Sequence, residues 1–270
     1  MLGKLLKHEF TATGRLMLPV LGVLAGLIVL ANISVRVMER DVGGLLTILA
    51  MLVLIAAFIA VILAELLPII VMVLRFYRNL LGNEGYLMHT LPVNVHELIW
   101  SKLIVSLVWI LATNLAIFLL GALSVLFQSG TSLAELFQAF PSLSELRDML
   151  PEIRNVDIWT FLVEMVTGIL LAGMITCLHF YAAMSLGHMF SKDKVLFSIL
   201  FFIGIDVAFN ILSTILGLSG VYYINGLTSF AAAINTILNT VGLALLALAI
   251  RGAILYVLTV LGLRKGLNLA

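Results

Sequence analysis

Polar residues are so sparse along this chain that its hydrophobic pattern is read from the gaps they make. Apolar runs occupy 16–35, 45–74, 103–127, 158–190 and 195–218, and a sixth ends near Leu263. A helix crossing the hydrocarbon core of a bilayer needs about 20 mostly apolar residues, so each run predicts one crossing. The second and fourth runs exceed that need and must tilt, kink or project into water. Pro68 offers a kink in the second. The last apolar tract, 227–263, is too short for two crossings joined by a turn. A crossing that begins near Val241 leaves 219–240, with Tyr222, Tyr223, Asn225, Asn235 and Asn239, as an external loop with a helix dipping into the interface.

Three further segments lie outside the crossings. In 1–15, Leu2, Leu5, Leu6, Glu9 and Phe10 share one helical face and Lys4 and Lys7 lie elsewhere on the wheel. That pattern predicts an interfacial helix on the cytoplasmic surface before the first crossing. The external segment 128–157 carries two capping-box patterns, Ser132-x-x-Glu135 and Ser142-x-x-Glu145. Its apolar Leu143, Leu146, Met149, Leu150 and Ile153 recur every three or four positions, which predicts two short amphipathic helices. The third segment is 75–102.

Composition supports the bilayer as solvent. The chain of 270 residues is 63% apolar and 11% charged, with a mean hydropathy of +1.21. A soluble domain is about 45–50% apolar and about 25% charged. An ordinary cytosolic enzyme, a disordered chain and a secreted disulfide scaffold are excluded. The predicted fold class is all-α, a polytopic membrane protein with six transmembrane helices. Lys4, Lys7, Arg15, Arg75, Arg78, Lys102, Lys192, Lys194, Arg264 and Lys265 fall on one side of the crossings, and Arg36, Arg40, Arg147 and Arg154 on the other. The excess of positive charge marks the cytoplasmic side and places both termini there. The first crossing is too long for a signal core and no A-x-A site follows it.

A net charge of +1 gives no electrostatic case for nucleic acid. The single cysteine, Cys177, cannot form an internal disulfide and reads as a small apolar helix residue. No Cys/His spacing suggests a metal. The 11 methionines are spread along the chain as packing residues. Gly22-x-x-x-Gly26 in the first crossing permits a close helix approach.

In the cytoplasmic loop 75–102, the interval from Gly85 to Pro92 holds about two helical turns, with Tyr86, Leu87 and Leu91 forming one apolar stripe. Pro92 stops that helix, and Asn94 with Glu97 can cap the next. A short capped helix with one apolar face suits docking into a groove of a soluble partner, and it equally suits rest on lipid headgroups.

The run Glu84-Gly85-x-Leu87-x-x-x-Leu91-Pro92-Val93-x-x-x-Glu97-Leu98-x-x-Ser101-Lys102 resembles the segment after the second span of ABC-2 type transporter permeases. The likeness extends as architecture to the N-terminal surface helix, the six crossings and the external helix before the last one. The long helical segment 128–157 departs from the general family pattern. The resemblance implies a transmembrane subunit of an ATP-driven exporter in a bacterial inner membrane. It implies that Glu84 faces a separate cytosolic ATPase and that Gly85, Tyr86, Leu87, Leu91 and Pro92 form the docking surface of a coupling helix. A second permease chain, identical or paralogous, would complete the pathway. ATP and magnesium belong to the ATPase, because this chain has no G-x-x-x-x-G-K-[ST] loop. This chain is then not itself an enzyme and binds no cofactor.

Ionisable residues inside crossings are functional candidates by default. Glu65, His179, Asp206 and Arg251 each lie 10 or 11 residues from the cytoplasmic end of their run, roughly 15 Å in at 1.5 Å per residue. They predict one intramembrane polar layer, with Asp206 and Arg251 paired between adjacent crossings. A pair that only neutralises charge between helices needs no further role. Glu164 lies nearer the outer surface. A secondary transporter using Glu65, Asp206 and Arg251 for a coupling proton is the alternative, although the two halves show no internal repeat. A membrane-embedded enzyme fits poorly. His96-Glu97 lacks the second histidine of a zinc protease, and Gly217-Leu-Ser-Gly lacks the serine-elbow spacing. An amphipathic peptide, a drug or a lipid would suit the crossings equally.

Overall fold

The computed structural model describes residues 2–40, 43–82, 94–130, 132, 135, 158–190, 192–215 and 230–265, with backbone alone at 158, 230–240 and 265. Among these residues all regular structure is helical. The helices are α1 (Leu2–Glu39), α2 (Leu45–Phe76), α3 (Val95–Ser129), α4 (Ile158–Gly187), α5 (Lys194–Ile215) and α6 (Phe230–Lys265). A wider π-type turn, Tyr77–Leu81, continues α2.

Six helical stretches are long and apolar enough to cross a membrane, and at most 22% of any of them is buried within the chain. Large apolar side chains such as Phe58, Phe118, Trp159 and Leu246 point outward instead. Water would penalise that surface and hydrocarbon does not. Helices also satisfy their own backbone polar groups, which lipid requires. The chain is an all-α, multi-pass membrane protein.

Two features differ from the pattern read in the sequence. Residues 2–15 form no separate helix before the first crossing; they are the first turns of α1, which runs unbroken for 38 residues, about 57 Å. The reason lies in Glu9 and Thr13, which are buried against α3 and tie this face to protein. Likewise, 230–240 is not a separate interfacial helix, because α6 continues through it into the last crossing. The rest of 219–240 lies outside the described residues, as do both flanks of the Ser132–Glu135 pair. That pair itself forms the capping box: the Ser132 N–H donates to Glu135 Oε2 at 2.9 Å and the Glu135 N–H to Ser132 Oγ at 3.2 Å. The second box, Ser142 and Glu145, falls outside the described residues.

The residues cluster into two units, Met1–Leu74 with Trp100–Phe140, and Arg75–Ile99 with Pro141–Ala270. In the first unit α1 and α3 run parallel, since their contacts advance together. Glu9 meets Lys102, Thr13 meets Trp109, Asn32 meets Ser124 and Gln128, and Arg36 meets Phe127. The ion pair between Lys102 Nζ and Glu9 Oε1 measures 2.8 Å, with side chains only 4% and 7% exposed.

In the second unit α4 packs on both α5 and α6. Its seam with α6 is also parallel and keeps a constant register, Gly168 facing Leu245, Ile175 facing Gly252, and Ser185 facing Gly262. The contacts recur at spacings of seven and ten residues, with Leu178 and Leu255 buried in the longer interval, as the alternating positions of a coiled-coil seam do. The closest approach is at Gly262, where a Cβ would sit 2.7 Å from Ser185 Oγ and 2.9 Å from its carbonyl carbon. Only glycine fits there.

A buried ion pair broken on one side leaves an uncompensated charge, at a cost of about 3–5 kcal/mol, whereas replacing both partners by apolar residues is often nearly neutral. Lys102→Met should therefore lower unfolding stability in detergent by about that amount, and Glu9→Leu with Lys102→Met should restore most of it. Equal losses in the single and double variants would show that the pair does not hold α1 against α3.

Candidate functional site

Two places in the second unit concentrate polar chemistry. The first is the base of the loop that joins α2 to α3, where both ends of the loop are held. At the leading end Phe76 is fully buried and stacks on Tyr181 of α4, ring centroids 4.0 Å apart and planes 11° from parallel. The π-type turn then buries Leu80 and Leu81 and closes with the Gly82 N–H donating to the Tyr77 carbonyl at 2.7 Å. Tyr77 presents its ring to the edge of His188 at 5.4 Å, just past the end of α4. His188 is buried, and its Nδ1–H donates to the Met184 carbonyl at 2.8 Å.

At the trailing end Asn94 immediately precedes α3, and its carbonyl accepts from the N–H groups of Glu97 and Leu98 at 2.9 and 3.3 Å. Leu98 and Ile99 are buried. His96 reaches α6 with both ring nitrogens: Nδ1 lies 2.6 Å from the Tyr256 hydroxyl, and Arg264 Nη2 donates to Nε2 at 3.0 Å. An arginine can only donate, so Nε2 is the acceptor and Nδ1 carries the proton. The loop between these two ends therefore starts and finishes on side chains of α4 and α6. Glu84, Gly85, Tyr86, Leu87, Leu91 and Pro92, the residues assigned to partner docking, lie outside the described residues.

The second place is inside the crossings. Arg251 of α6 donates through Nη2 to Asp206 Oδ1 of α5 at 3.1 Å and to His179 Nδ1 of α4 at 3.3 Å. His179 turns its other nitrogen, Nε2, to the Phe202 carbonyl at 3.0 Å, which makes Nε2 the donor and Nδ1 the acceptor of the neutral ring. Asp206 Oδ2 accepts from Asn210 Nδ2 at 3.0 Å, and the guanidinium lies over the Phe209 ring at 4.9 Å. All three helices of this unit thus meet through three polar side chains. The Asp206 side chain is 51% exposed and that of Arg251 26%. Arg251 Nε is buried without a hydrogen-bond partner among the described residues. An unsatisfied buried donor costs about 1–3 kcal/mol.

Glu65, grouped with these residues by its sequence depth, belongs to the first unit. There its Oε2 lies 3.5 Å from Asn114 Nδ2 of α3. Glu164 sits over Gly242 at the far end of the α4–α6 seam. Cys177 is buried. Among the described residues no three His, Cys, Asp or Glu side chains converge as metal ligands would. Sequence reasoning missed the His96–Tyr256–Arg264 cluster, in which His96 lies 160 and 168 residues from its two partners along the chain. It also missed the Glu9–Lys102 pair, although a carboxylate on an otherwise apolar stripe was its signal.

Comparison with protein-family models, curated proteins and solved structures finds no significant match.

Burial holds the His188 imidazole below its ordinary pKa of 6.5, with the Met184 carbonyl opposing and the Lys194 ammonium reinforcing the shift. The unfolded chain then takes up this proton first as pH falls. Stability at this residue is full above about 6.5 and declines below it until the folded imidazole also protonates. The parent should lose more thermal stability between pH 7.5 and 5.5 than His188→Gln does, measured by unfolding in detergent. Identical slopes would remove His188 from the pH response.

Proposed function

We propose that this chain is the membrane-spanning permease subunit of an ABC-2 type exporter, driven by a separate cytosolic ATPase that binds ATP and magnesium. It works with a second permease chain in a bacterial inner membrane and exports an amphipathic substrate, a peptide, drug or lipid. Glu84 faces the ATPase, and Gly85, Tyr86, Leu87, Leu91 and Pro92 form the docking surface of the coupling helix. The single observation that carries the reading is the anchoring of both loop ends on α4 and α6. A push delivered to residues 83–93 by a closing ATPase has side chains to act on at once: Phe76 on Tyr181 at one end, His96 on Tyr256 and Arg264 at the other. The resemblance of the loop sequence supplies the identity of the partner.

A second reading is an ion-coupled carrier using Glu65, Asp206 and Arg251. It is favoured by the half-exposed Asp206 beside Arg251 within the crossings. The source of energy separates the two.

The test is purification of the tagged chain from its own host in mild detergent, beside Leu87→Asp with Leu91→Asp. The expected result is a co-purifying soluble chain, identified by mass spectrometry as carrying a phosphate-binding loop, that hydrolyses ATP and is lost from the variant. Its absence in several detergents, together with transport that collapses with a protonophore, would replace the exporter reading by the carrier.

A further inference from the structure

A groove of about 410 Å³ opens between α5 and α6, beside Arg251. Its walls are Phe209 and Leu212 of α5 and Leu243, Leu246 and Ala247 of α6, and its polar lining is Arg251 with Asn210 and Ser213. That volume falls within the roughly 300–1,000 Å³ of small-molecule sites, which combine apolar walls with a few polar groups. We propose that this groove binds an uncharged amphiphile whose amide or ester carbonyl accepts from the Nη1 N–H groups of Arg251 while its hydrocarbon chain lies along the groove. The inference rests on the transport reading and names the chemistry of the substrate.

Three observations select this occupant. A guanidinium has five N–H donors, and both hydrogen bonds made here use Nη2. Nε is buried out of a ligand's reach, and no bond to Nη1 occurs among the described residues, so the two N–H groups of Nη1 are the donors that want acceptors. Charge is the second consideration. Asp206 already neutralises Arg251, so an anion would leave an uncompensated negative charge in hydrocarbon and a cation would face the two unfilled Nη1 donors. A neutral carbonyl satisfies the donors and leaves the charge balanced.

Depth is the third. Arg251 lies ten residues into the crossing Val241–Arg264, about 15 Å from one end and about 20 Å from the other at 1.5 Å per residue. The ester groups of a resident phospholipid lie at the interface, near the edge of a core about 30 Å thick, and not at that depth. A carbonyl near mid-membrane belongs to a molecule in passage.

The probe is radiolabelled N-dodecylacetamide, bound to the full chain in phosphatidylcholine nanodiscs with no ATPase present. Empty discs set the background, and dodecyl phosphate and dodecyltrimethylammonium are the charged comparisons. Saturable binding of the amide is expected, weakened about tenfold or more by Arg251→Met. Ala247→Trp, which fills the groove and leaves the polar side chains in place, should weaken it as much. Either charged probe should bind about tenfold or more less tightly than the amide. Tighter binding of the phosphate, no saturable amide binding, or indifference to Ala247→Trp would each overturn the proposal. So would rapid disulfide cross-linking of Leu246→Cys between two copies, which would show the groove closed by a second chain. Because no ATPase takes part, failure here leaves the exporter reading standing. Loss of the ATPase partner in the purification would leave amide binding intact.

Discussion

In lipid an apolar side chain gains little by exchanging hydrocarbon for a neighbouring helix, so helices associate where backbones can approach closely or where polar groups need partners. The α4–α6 seam meets both conditions. Gly168, Gly252 and Gly262 let the two backbones run side by side in constant register, and Ser185 closes against the last of them. On this parallel pair are mounted the side chains that matter elsewhere. His179 and Arg251 sit within the crossings, Tyr181 and Tyr256 lie nearer the ends, and His188 and Arg264 stand beyond or at the ends. A side chain in place of Gly262 would part the helices where the loop is held, and both loop anchors would lose their common base.

The two anchors differ in chemistry. The leading one is apolar and closed, with Phe76 stacked on Tyr181 and Leu80 and Leu81 buried by the π-type turn. Opening it would expose aromatic and leucine surface, at about 25 cal/mol per Å². The trailing one is polar and exposed, where His96, Tyr256 and Arg264 exchange hydrogen bonds. Such bonds trade with water at a small net cost. A displacement of the loop would therefore be resisted on one side and accommodated on the other, and would pivot at the π-type turn.

The parts of this molecule that were legible in its sequence are those fixed by a single external length or by local chemistry. Bilayer thickness sets the length of an apolar run, so all six crossings could be counted before any contact was known. The Ser132–Glu135 box was legible because two side chains three residues apart satisfy each other's backbone donors. The seam was not. Its period of seven is carried by Gly168, Ile175, Gly252 and Thr259, and the surrounding positions are apolar as well, so lipid-facing leucines mask the contrast that marks a soluble helix face. The unbroken α1 was hidden for a related reason. Arg15 suggests an entry into the membrane, but the decisive contact is Glu9 with Lys102, a long-range pair that no local window contains. His96 was weighed only as half of a metal motif, and its partners lie far along the chain.

Charge balance and hydrogen-bond saturation are separate requirements, and the cluster within the crossings meets only the first. A pair retained solely to cancel charge between two helices would gain most from the bidentate geometry in which a carboxylate takes two guanidinium donors. Asp206 instead offers one oxygen to Arg251 and gives the other to Asn210 of its own helix. His179 takes the second hydrogen bond from the same nitrogen. The guanidinium is thereby fixed on one edge by two helices, stacked over Phe209, and left with Nε buried and unfilled. An orientation so firmly held keeps the remaining Nη1 edge of the guanidinium in one place, as a site prepared for a group outside the cluster requires.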